Sequence, residues 1–301
     1  MDGMIDIHHH AIPDFYVHEM AKASITKVNG LKFPTWTPKK SLSMMDSLGI
    51  EKAILSFSTP GIEIGAGASS LARRCNDYLA AVRDEHPGRF GGFGTLPLAD
   101  TISAERELIH VLDELQLDGI SLLSSVNGAY PDHERYTPLF DRLNEKRSTV
   151  FIHPTDSTVK GYDGLVNVFY GWFIETSRAV ALMDQAGIFD RFPAITFVLA
   201  HGGGALPVIN GIVERDEFRN RKIYCDTAKI AEERSLTIAS DSFGPVRILF
   251  GSDFPWANAK KGKYWIAQIE KYWKDRSEIL ANITRGNAEV ILSATTEEVH
   301  R

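Results

Sequence analysis

The sequence predicts an α/β fold of the TIM (β/α)8-barrel class, and three observations support this prediction. The chain has 301 residues, which suits one barrel of about 250 residues with extra loops. Eight short apolar runs recur along it, and each is followed by a longer segment with helical periodicity. Alternating strands and helices predict a parallel sheet with right-handed crossovers, and eight such pairs favour a closed barrel over an open doubly wound sheet.

The predicted strands are continuous apolar runs rich in Ile, Val, Leu and Phe, which is typical of strands covered on both faces. In chain order they cover residues 4–7, 53–57, 90–96, 119–123, 149–152, 195–200, 222–225 and 247–250. Between them, sets such as Leu71, Cys75, Leu79 and Val82 recur at helical spacing and predict amphipathic helices. The sequence contains no internal repeat or linker, so residues 1–301 are predicted to form a single domain.

Two long segments interrupt this alternation, and both follow a predicted strand. Residues 13–40 follow the first strand, and residues 157–171 follow the fifth. Loops longer than about 12–15 residues are uncommon in compact domains unless they have a function. Because loops after barrel strands lie at the face that carries active sites, we expect lid-like insertions after strands 1 and 5, with ordinary insertion loops as the alternative.

Composition and charge argue against several classes of function. Hydrophobic residues make up 44% and charged residues 24%, as in a folded protein with a large core. A net charge of -6 and the lack of Lys/Arg-rich runs argue against a nucleic-acid partner. The sequence predicts neither a membrane span nor a signal peptide. Its two cysteines, Cys75 and Cys225, are far apart, which favours a reduced, cytoplasmic setting.

The first predicted strand ends in a His-x-His pair within Asp6-Ile7-His8-His9-His10. Side chains alternate along a strand, so His8 and His10 are expected to point the same way and His9 the opposite way. Two imidazoles on one face suit a metal ion, although exposed polar residues at a strand end or a tag remnant would give the same pattern. His9 is interpreted as a packed or solvent-facing residue.

Three other predicted strands lead into residues that bind metals or transfer protons. Residues 149–152 lead directly into His153, and residues 195–200 lead directly into His201. Residues 247–250 are followed by Gly251, Ser252 and then Asp253. The carboxyl ends of barrel strands meet at one mouth. A lone histidine at a strand end is common, but a coincidence at four strand ends favours one shared site over four separate structural roles.

Histidine and carboxylate ligands predict a divalent metal ion, with zinc favoured and manganese, iron or cobalt as alternatives. His8, His10 and His153 fill three positions and leave one open for water or substrate. Asp253 is either a further ligand or a hydrogen-bonding acid or base. His201 is then the general acid or base beside the open position.

Five sequence motifs resemble the amidohydrolase-2 family of metal-dependent enzymes. The resemblance spans residue 4 to about residue 288 and implies a TIM barrel, His8, His10, His153 and Asp253 as metal ligands, His201 as the catalytic histidine, and a homodimer. Because residues 119–123 offer no Lys or Glu to bridge a second ion, one metal ion is favoured. The motifs are Ile-Asp-Ile-His-His-His-Ala-Ile-Pro, Met-Asp-Ser-Leu-Gly-Ile-Glu-Lys-Ala, Phe-Ile-His-Pro, Ala-His-Gly-Gly-Gly and Phe-Gly-Ser-Asp-Phe-Pro.

Departures from the family concern the substrate. Members that act on aminocarboxymuconate semialdehyde carry arginines where this chain has Ser41 and Ile212, although Arg215 lies one helical turn further on. Residues 153–155 and 175–179 are more similar to members that decarboxylate 6-methylsalicylate. The resemblance therefore implies a substrate with a single carboxylate, bound with the help of Arg178 or Arg215.

Arg178 is the first candidate for binding the substrate carboxylate. The equally weighted alternative is a surface arginine in the first turn of a helix, with Thr176 or Ser177 as its cap.

The resemblance and the site residues together predict non-oxidative decarboxylation of a small aromatic, salicylate-like or unsaturated carboxylic acid. Asp253 or His201 would deliver the proton, and Trp36, Phe254 and Trp256 would form an aromatic wall, with plain loop packing as the alternative for the last two. The main alternative function is metal-assisted hydrolysis of a lactone or amide with the same ligands. A barrel that only binds a partner is disfavoured, because every expected ligand position holds a competent residue.

Overall fold

The computed structural model describes residues 3–156, 170–212 and 217–293. Within them, eight parallel strands form one sheet whose spatial order follows the chain. All eight predicted strands are present in the predicted order. Their bounds are β1 (Met4–His10), β2 (Ile50–Ser56), β3 (Phe90–Thr95), β4 (Gly119–Leu123), β5 (Thr149–His153), β6 (Thr196–Leu199), β7 (Ile223–Asp226) and β8 (Ile248–Leu249).

Backbone hydrogen bonds between β1 and the end of β8 close the sheet into a barrel. The Ile7 amide donates to the Phe250 carbonyl at 3.0 Å, and the Asp253 amide donates to the His8 carbonyl at 2.8 Å. This closure confirms the predicted TIM barrel. It also places the segment that carries Asp253 directly beside the strand that carries the His-x-His pair.

Several strand ends differ from the prediction by a few residues. β2 begins at Ile50 because Ile50 and Lys52 already pair with β1. β8 is shorter than residues 247–250, because the Phe250 amide donates to the Ile283 carbonyl outside the sheet. β7 extends to Asp226, one residue beyond the predicted run, and this residue proves important for the site.

Helices surround the barrel in the alternating order that the sequence predicts. They are α1 (Asp14–Lys22), α2 (Pro38–Leu48), α3 (Ala68–Glu85), α4 (Thr101–Ile109), α5 (Thr137–Glu145), α6 (Trp172–Gln185), α7 (Ile188–Arg191), α8 (Leu206–Ile212), α9 (Glu233–Phe243), α10 (Ala259–Tyr272), α11 (Ser277–Ala281) and α12 (Asn287–Ser293). Short 3-10 turns lie at Glu134–Tyr136, His201–Gly203, Glu217–Asn220 and Pro245–Arg247, and π turns at His110–Glu114 and Asn282–Gly286. Among the described helices, none has the length and hydropathy needed to cross a bilayer.

A small apolar cluster fills the inside of the barrel, separate from the larger core between strands and helices. It includes Ile7, Phe93 and Phe151, together with Ile291 from α12. Buried apolar side chains remove their surface from water, which is the main driving force for closing the barrel. The ring of His8 lies 5.0 Å from that of Phe151, so the polar site begins where this apolar layer ends.

The insertion predicted after strand 1 is folded rather than open. It forms α1 and a two-stranded hairpin, Lys27–Val28 and Leu31–Lys32, before α2 begins at Pro38. At the hairpin turn, the Asn29 side-chain amide donates to Asp156 at 2.6 Å. Most of the insertion predicted after strand 5 lies outside the described residues.

Candidate metal centre

His8 and His10 meet at the carboxyl end of β1. Their Nε2 atoms lie 3.0 Å apart, and both side chains are fully buried. The other nitrogen of each ring faces a fixed partner, because His8 Nδ1 lies 2.7 Å from an Asp226 carboxylate oxygen and His10 Nδ1 lies 3.2 Å from the Ser56 hydroxyl. A carboxylate only accepts, so His8 carries its proton on Nδ1 and directs the Nε2 lone pair toward His10.

His153 and Asp253 complete the cluster. The backbone carbonyl of Pro154 accepts from His153 Nδ1 at 2.8 Å, which leaves the lone pair on Nε2. Asp253 Oδ1 lies 3.5 Å from His8 Nε2 and 3.3 Å from His10 Nε2. Among the described residues, one ligand atom from each of the four side chains lies within 4.8 Å of the other three.

These four residues fit a divalent ion. Imidazole lone pairs that face one another at 3.0 Å repel unless a cation or a proton lies between them. Three imidazoles and one carboxylate, all buried, form a donor set that suits borderline ions such as zinc. The predicted ligands therefore converge on one point, as the strand-end pattern requires.

The electrostatics of the cluster favour a cation. Burial lowers the pKa of His10 to about 4 and holds the pKa of His153 well below its ordinary value, so both rings are neutral at pH 7. Burial also lowers the pKa of His8, but attraction to Asp226 and Asp253 outweighs it and raises the pKa overall. The carboxylates that favour a proton on His8 favour a metal cation for the same reason.

His201 follows β6, and its ring lies beside the cluster. The ring centroid is 5.0 Å from that of His8, and Nε2 is 3.8 Å from Asp253 Oδ2. Within the described part of the chain, neither buried ring nitrogen has a hydrogen-bond partner. Burial and the charge of Lys229 lower the pKa of His201 to about 4. A buried, neutral imidazole in this place is positioned to exchange a proton with a bound molecule.

Lys229, which sequence reasoning missed, contacts Asp253 from another side. Its ammonium nitrogen lies 3.1 Å from Asp253 Oδ2 and 4.4 Å from the centroid of the Trp172 ring. Burial raises the pKa of Asp253, but Lys229 and the neighbouring His10 and His201 lower it well below its ordinary value. Asp253 is therefore ionised, with Oδ1 toward the ligand histidines and Oδ2 toward Lys229.

Three residues around the cluster have left-handed backbone conformations. The φ angles are +55° for His201, +63° for Lys229 and +55° for Asp253, and each residue follows a barrel strand. A non-glycine residue in this region costs on the order of 1–3 kcal/mol and persists only where the surrounding structure holds it in place. Such residues cluster at functional sites, so the strain supports a role for this mouth of the barrel.

Comparison with known families fits this geometry. The model of the family described as Amidohydrolase matches residues 5–293. The chain belongs to this amidohydrolase family. The family predicted from the five sequence motifs is thereby confirmed.

Two similar proteins are fungal decarboxylases. Decarboxylase yanB of Aspergillus niger is 33% identical over 316 residues, covering 94% of this chain and 86% of that protein. The 6-methylsalicylic acid decarboxylase acuB of Aspergillus aculeatus is 34% identical over 277 residues, covering 83% of this chain and 84% of that protein. The amidohydrolase thus has relatives of the kind that the sequence motifs indicate.

A solved structure of a dihydroxybenzoic acid decarboxylase from Polaromonas sp. shares the fold. It matches with a TM-score of 0.83 at 24% identity and covers 99% of each chain. That protein was crystallised with bound manganese and the inhibitor 2-nitroresorcinol.

The cluster of candidate metal ligands in this amidohydrolase opens into a cavity of about 540 Å³. Asp253 and Lys229 line it, together with the exposed Leu31 of the hairpin. Of the predicted aromatic wall, Trp256 lines the cavity. The other aromatic residues that line it were not predicted: Trp172 and Phe173 begin α6, and Trp265 lies within α10.

The structure places Trp36 and Phe254 around His9, apart from the cavity lining. His9 Nδ1 donates to Asp6 at 2.9 Å, and its Nε2 accepts from the Ser41 hydroxyl at 2.8 Å. The Trp36 indole donates to the same Ser41 oxygen at 2.8 Å, and Trp36 is 2% exposed. The Phe254 ring lies 5.1 Å from that of His9. His9 is thus a packed residue, and loop packing describes Phe254 better than a cavity wall does.

Arg178 is paired with residues of the protein itself. Its guanidinium lies 3.4 Å from the buried Glu175 carboxylate and donates to the Tyr130 hydroxyl at 3.3 Å. Tyr130 in turn donates to Glu175 at 2.8 Å. An ion pair of this kind compensates the charge of a buried carboxylate, which is a structural role.

The alternative interpretation of Arg178 also needs correction. α6 begins at Trp172, so Arg178 lies beyond the first turn. Thr176 and Ser177 donate to the carbonyls four residues before them and do not cap the helix. Arg215, the other predicted carboxylate-binding residue, lies outside the described residues.

Asp226 is the second functional residue that sequence reasoning missed. It is fully buried at the end of β7, accepts from His8, and accepts at 3.0 Å from the backbone amide of His201. A carboxylate at a strand end was the available signal, and it follows the same rule that identified Asp253. Asp226 orients the His8 ring and fixes its tautomer.

We expect replacement of Asp226 by asparagine or alanine to weaken metal binding about 10- to 100-fold, because His8 loses its charged partner. The alanine variant should show the larger effect, since it also loses the acceptor. Calorimetric titration of the apoprotein with zinc measures this change in metal affinity. Asp275→Asn, at an exposed aspartate, is the matched control. Unchanged zinc affinity in both Asp226 variants would contradict the assignment.

Proposed function

We propose that this amidohydrolase catalyses non-oxidative decarboxylation of a small, salicylate-like aromatic acid. The observation that carries the proposal is a buried donor set for a cation, His8, His10, His153 and Asp253, opening into an aromatic-walled cavity. The relationship to a 6-methylsalicylic acid decarboxylase, at 34% identity, supports the same reaction class.

The four ligands would hold one divalent ion, and we propose zinc because three imidazoles suit it. Manganese is the alternative, since the Polaromonas structure contains it. When bound, such an ion supplies Lewis-acid polarisation of substrate oxygen atoms. Among the described residues of β4, Gly119–Leu123, no Lys or Glu is present to bridge a second ion.

Decarboxylation breaks the bond between a ring carbon and the carboxylate, leaves the electron pair on the ring, and needs a proton at that carbon. His201 and Asp253, with 3.8 Å between Nε2 and Oδ2, would be the proton-transferring groups. Because the His201 ring is neutral and Asp253 is ionised, the proton would first be taken up from solvent water or from the substrate hydroxyl and then passed to the ring carbon. The ring of Phe173 lies 5.7 Å from that of His201 and, with Trp172, offers apolar surface to an aromatic substrate. The carboxyl group leaves as CO₂, and the proton takes its place.

We expect zinc- or manganese-loaded protein to release CO₂ from 6-methylsalicylate with formation of 3-methylphenol in equal amount. A panel of hydroxybenzoates, simple lactones, esters and amides, analysed for CO₂ and for hydrolysis products, tests this. Protein treated with a chelator is the control and should be inactive. Cleavage of lactones, esters or amides without CO₂ release from any hydroxybenzoate would replace the decarboxylase proposal with a hydrolase.

We also propose a cellular setting and an assembly for the protein. Cys75 and Cys225 are buried and unpaired, which favours a reducing, cytoplasmic compartment. We propose a homodimer from the family resemblance, and a single domain over residues 1–301 from the sequence pattern. The net charge of -6 disfavours a nucleic-acid partner.

A further inference from the structure

Recognition of the substrate carboxylate needs a cation that reaches the cavity. Arg178, one of the two arginines expected to supply it, is occupied with the buried Glu175 and with Tyr130. The other, Arg215, lies outside the described residues. Lys229 and Lys261 are the lysines among the described residues that line the cavity. We propose that Lys229 selects anionic aromatic acids over neutral aromatic compounds of the same size, by pairing with the carboxylate. This inference rests on the proposed function and names its specificity residue.

The position of Lys229 suits this role. An ammonium group has three donors, and the ion pair with Asp253 Oδ2, at 3.1 Å, engages at most one of them. The Trp172 ring, 4.4 Å away, holds the ammonium from another direction through a cation–π contact. The side chain is 19% exposed and lines the cavity, so its remaining donors are accessible to a ligand.

The charge balance at the cavity floor favours an anion. Asp253 contributes one negative charge to the four ligands, and Asp226 adds a second behind His8. Glu232 and Lys261, which also line the cavity, offset each other in charge. A divalent ion together with Lys229 therefore leaves an excess of positive charge beside the aromatic walls. A carboxylate on a flat ring satisfies both features, because the ring fills the apolar part of a cavity that is large enough for a small ligand.

The backbone of Lys229 supports the same conclusion. Its φ of +63° is unfavourable for lysine, and a glycine or asparagine would relieve it. The strain is explained if this side chain has to reach Asp253 and the cavity at the same time.

The test compares an anionic with a neutral probe by calorimetry on the zinc-loaded protein. Benzoate carries the carboxylate but lacks the phenolic hydroxyl, and phenol is neutral. We expect Lys229→Met to weaken benzoate binding about 10- to 50-fold, between the effects typical of exposed and of buried ion pairs, and to change phenol binding less than twofold. Lys229→Arg should keep benzoate affinity within about threefold, because it retains the cation.

Lys260→Met is the matched control, since Lys260 is an exposed lysine of α10 that is not among the cavity-lining residues. It should leave both affinities within twofold. Equal losses for benzoate and phenol, equal losses in the Met and Arg variants, or unchanged benzoate binding would each overturn the proposal. Loss of zinc from Lys229→Met would assign Lys229 to holding Asp253 and would overturn it as well. If benzoate binding depends on Lys229 but no CO₂ is released, only the proposed decarboxylase activity is rejected, and the role of Lys229 in binding anions stands.

Discussion

Replacing His8 or His153 with alanine is expected to leave the protein without a divalent ion and without measurable activity. Both residues direct Nε2 lone pairs into the cluster, while their Nδ1 atoms are bound to Asp226 and to the Pro154 carbonyl. Removal of either takes away one of four ligands and leaves the negative charge of buried Asp253 less compensated. Elemental analysis should find close to one ion per wild-type chain and almost none in the variants.

Glutamine at positions 8 and 153 provides a second pair of variants, because it fills more of the space and limits the cost of a cavity. His18→Ala, at an exposed histidine of α1, should keep both metal and activity. Two ions per wild-type chain, or full occupancy in both alanine variants, would contradict the ligand assignment.

His201→Ala is expected to retain the metal ion and to lose about 10²- to 10⁴-fold in turnover, the usual contribution of a general acid or base. Its ring contacts the cluster but, in the described structure, its nitrogens bind no protein group. The loss should fall on kcat rather than on metal affinity. Added imidazole should restore part of the rate, since a free imidazole fits the space left by the ring.

The reverse outcome would exchange the two roles. If His201→Ala loses the metal while Asp253→Ala keeps it, His201 is a ligand and Asp253 is the acid or base. A His201→Ala variant with full activity would remove this residue from the chemistry altogether.

The barrel and the ligand residues were predictable from the sequence because they follow a one-dimensional rule. Apolar runs end where strands reach the barrel mouth, so His8, His10, His153 and Asp253 could be identified from the residues that follow those runs. Asp226 obeys the same rule, because it directly follows the predicted strand of residues 222–225, but it was not among the predicted site residues.

Other features depend on contacts between distant segments, which periodicity does not encode. Lys229 lies three residues beyond β7, and nothing in its neighbours predicts an ion pair with Asp253. Arg178 was one candidate for the substrate carboxylate, but its partners Glu175 and Tyr130 come together only in the folded chain. Trp36 is an aromatic residue of the kind that lines cavities, yet its indole donates a hydrogen bond to Ser41 in the core.

The left-handed backbone at His201, Lys229 and Asp253 sets stability against activity at these three positions. Glycine or asparagine would relax each loop, so a selection for heat resistance alone would favour those residues and erase the site. An engineering library for this barrel should therefore hold these positions fixed and seek its gains elsewhere. A relative with glycine at all three positions would have a larger free energy of unfolding but would lack the enzyme activity.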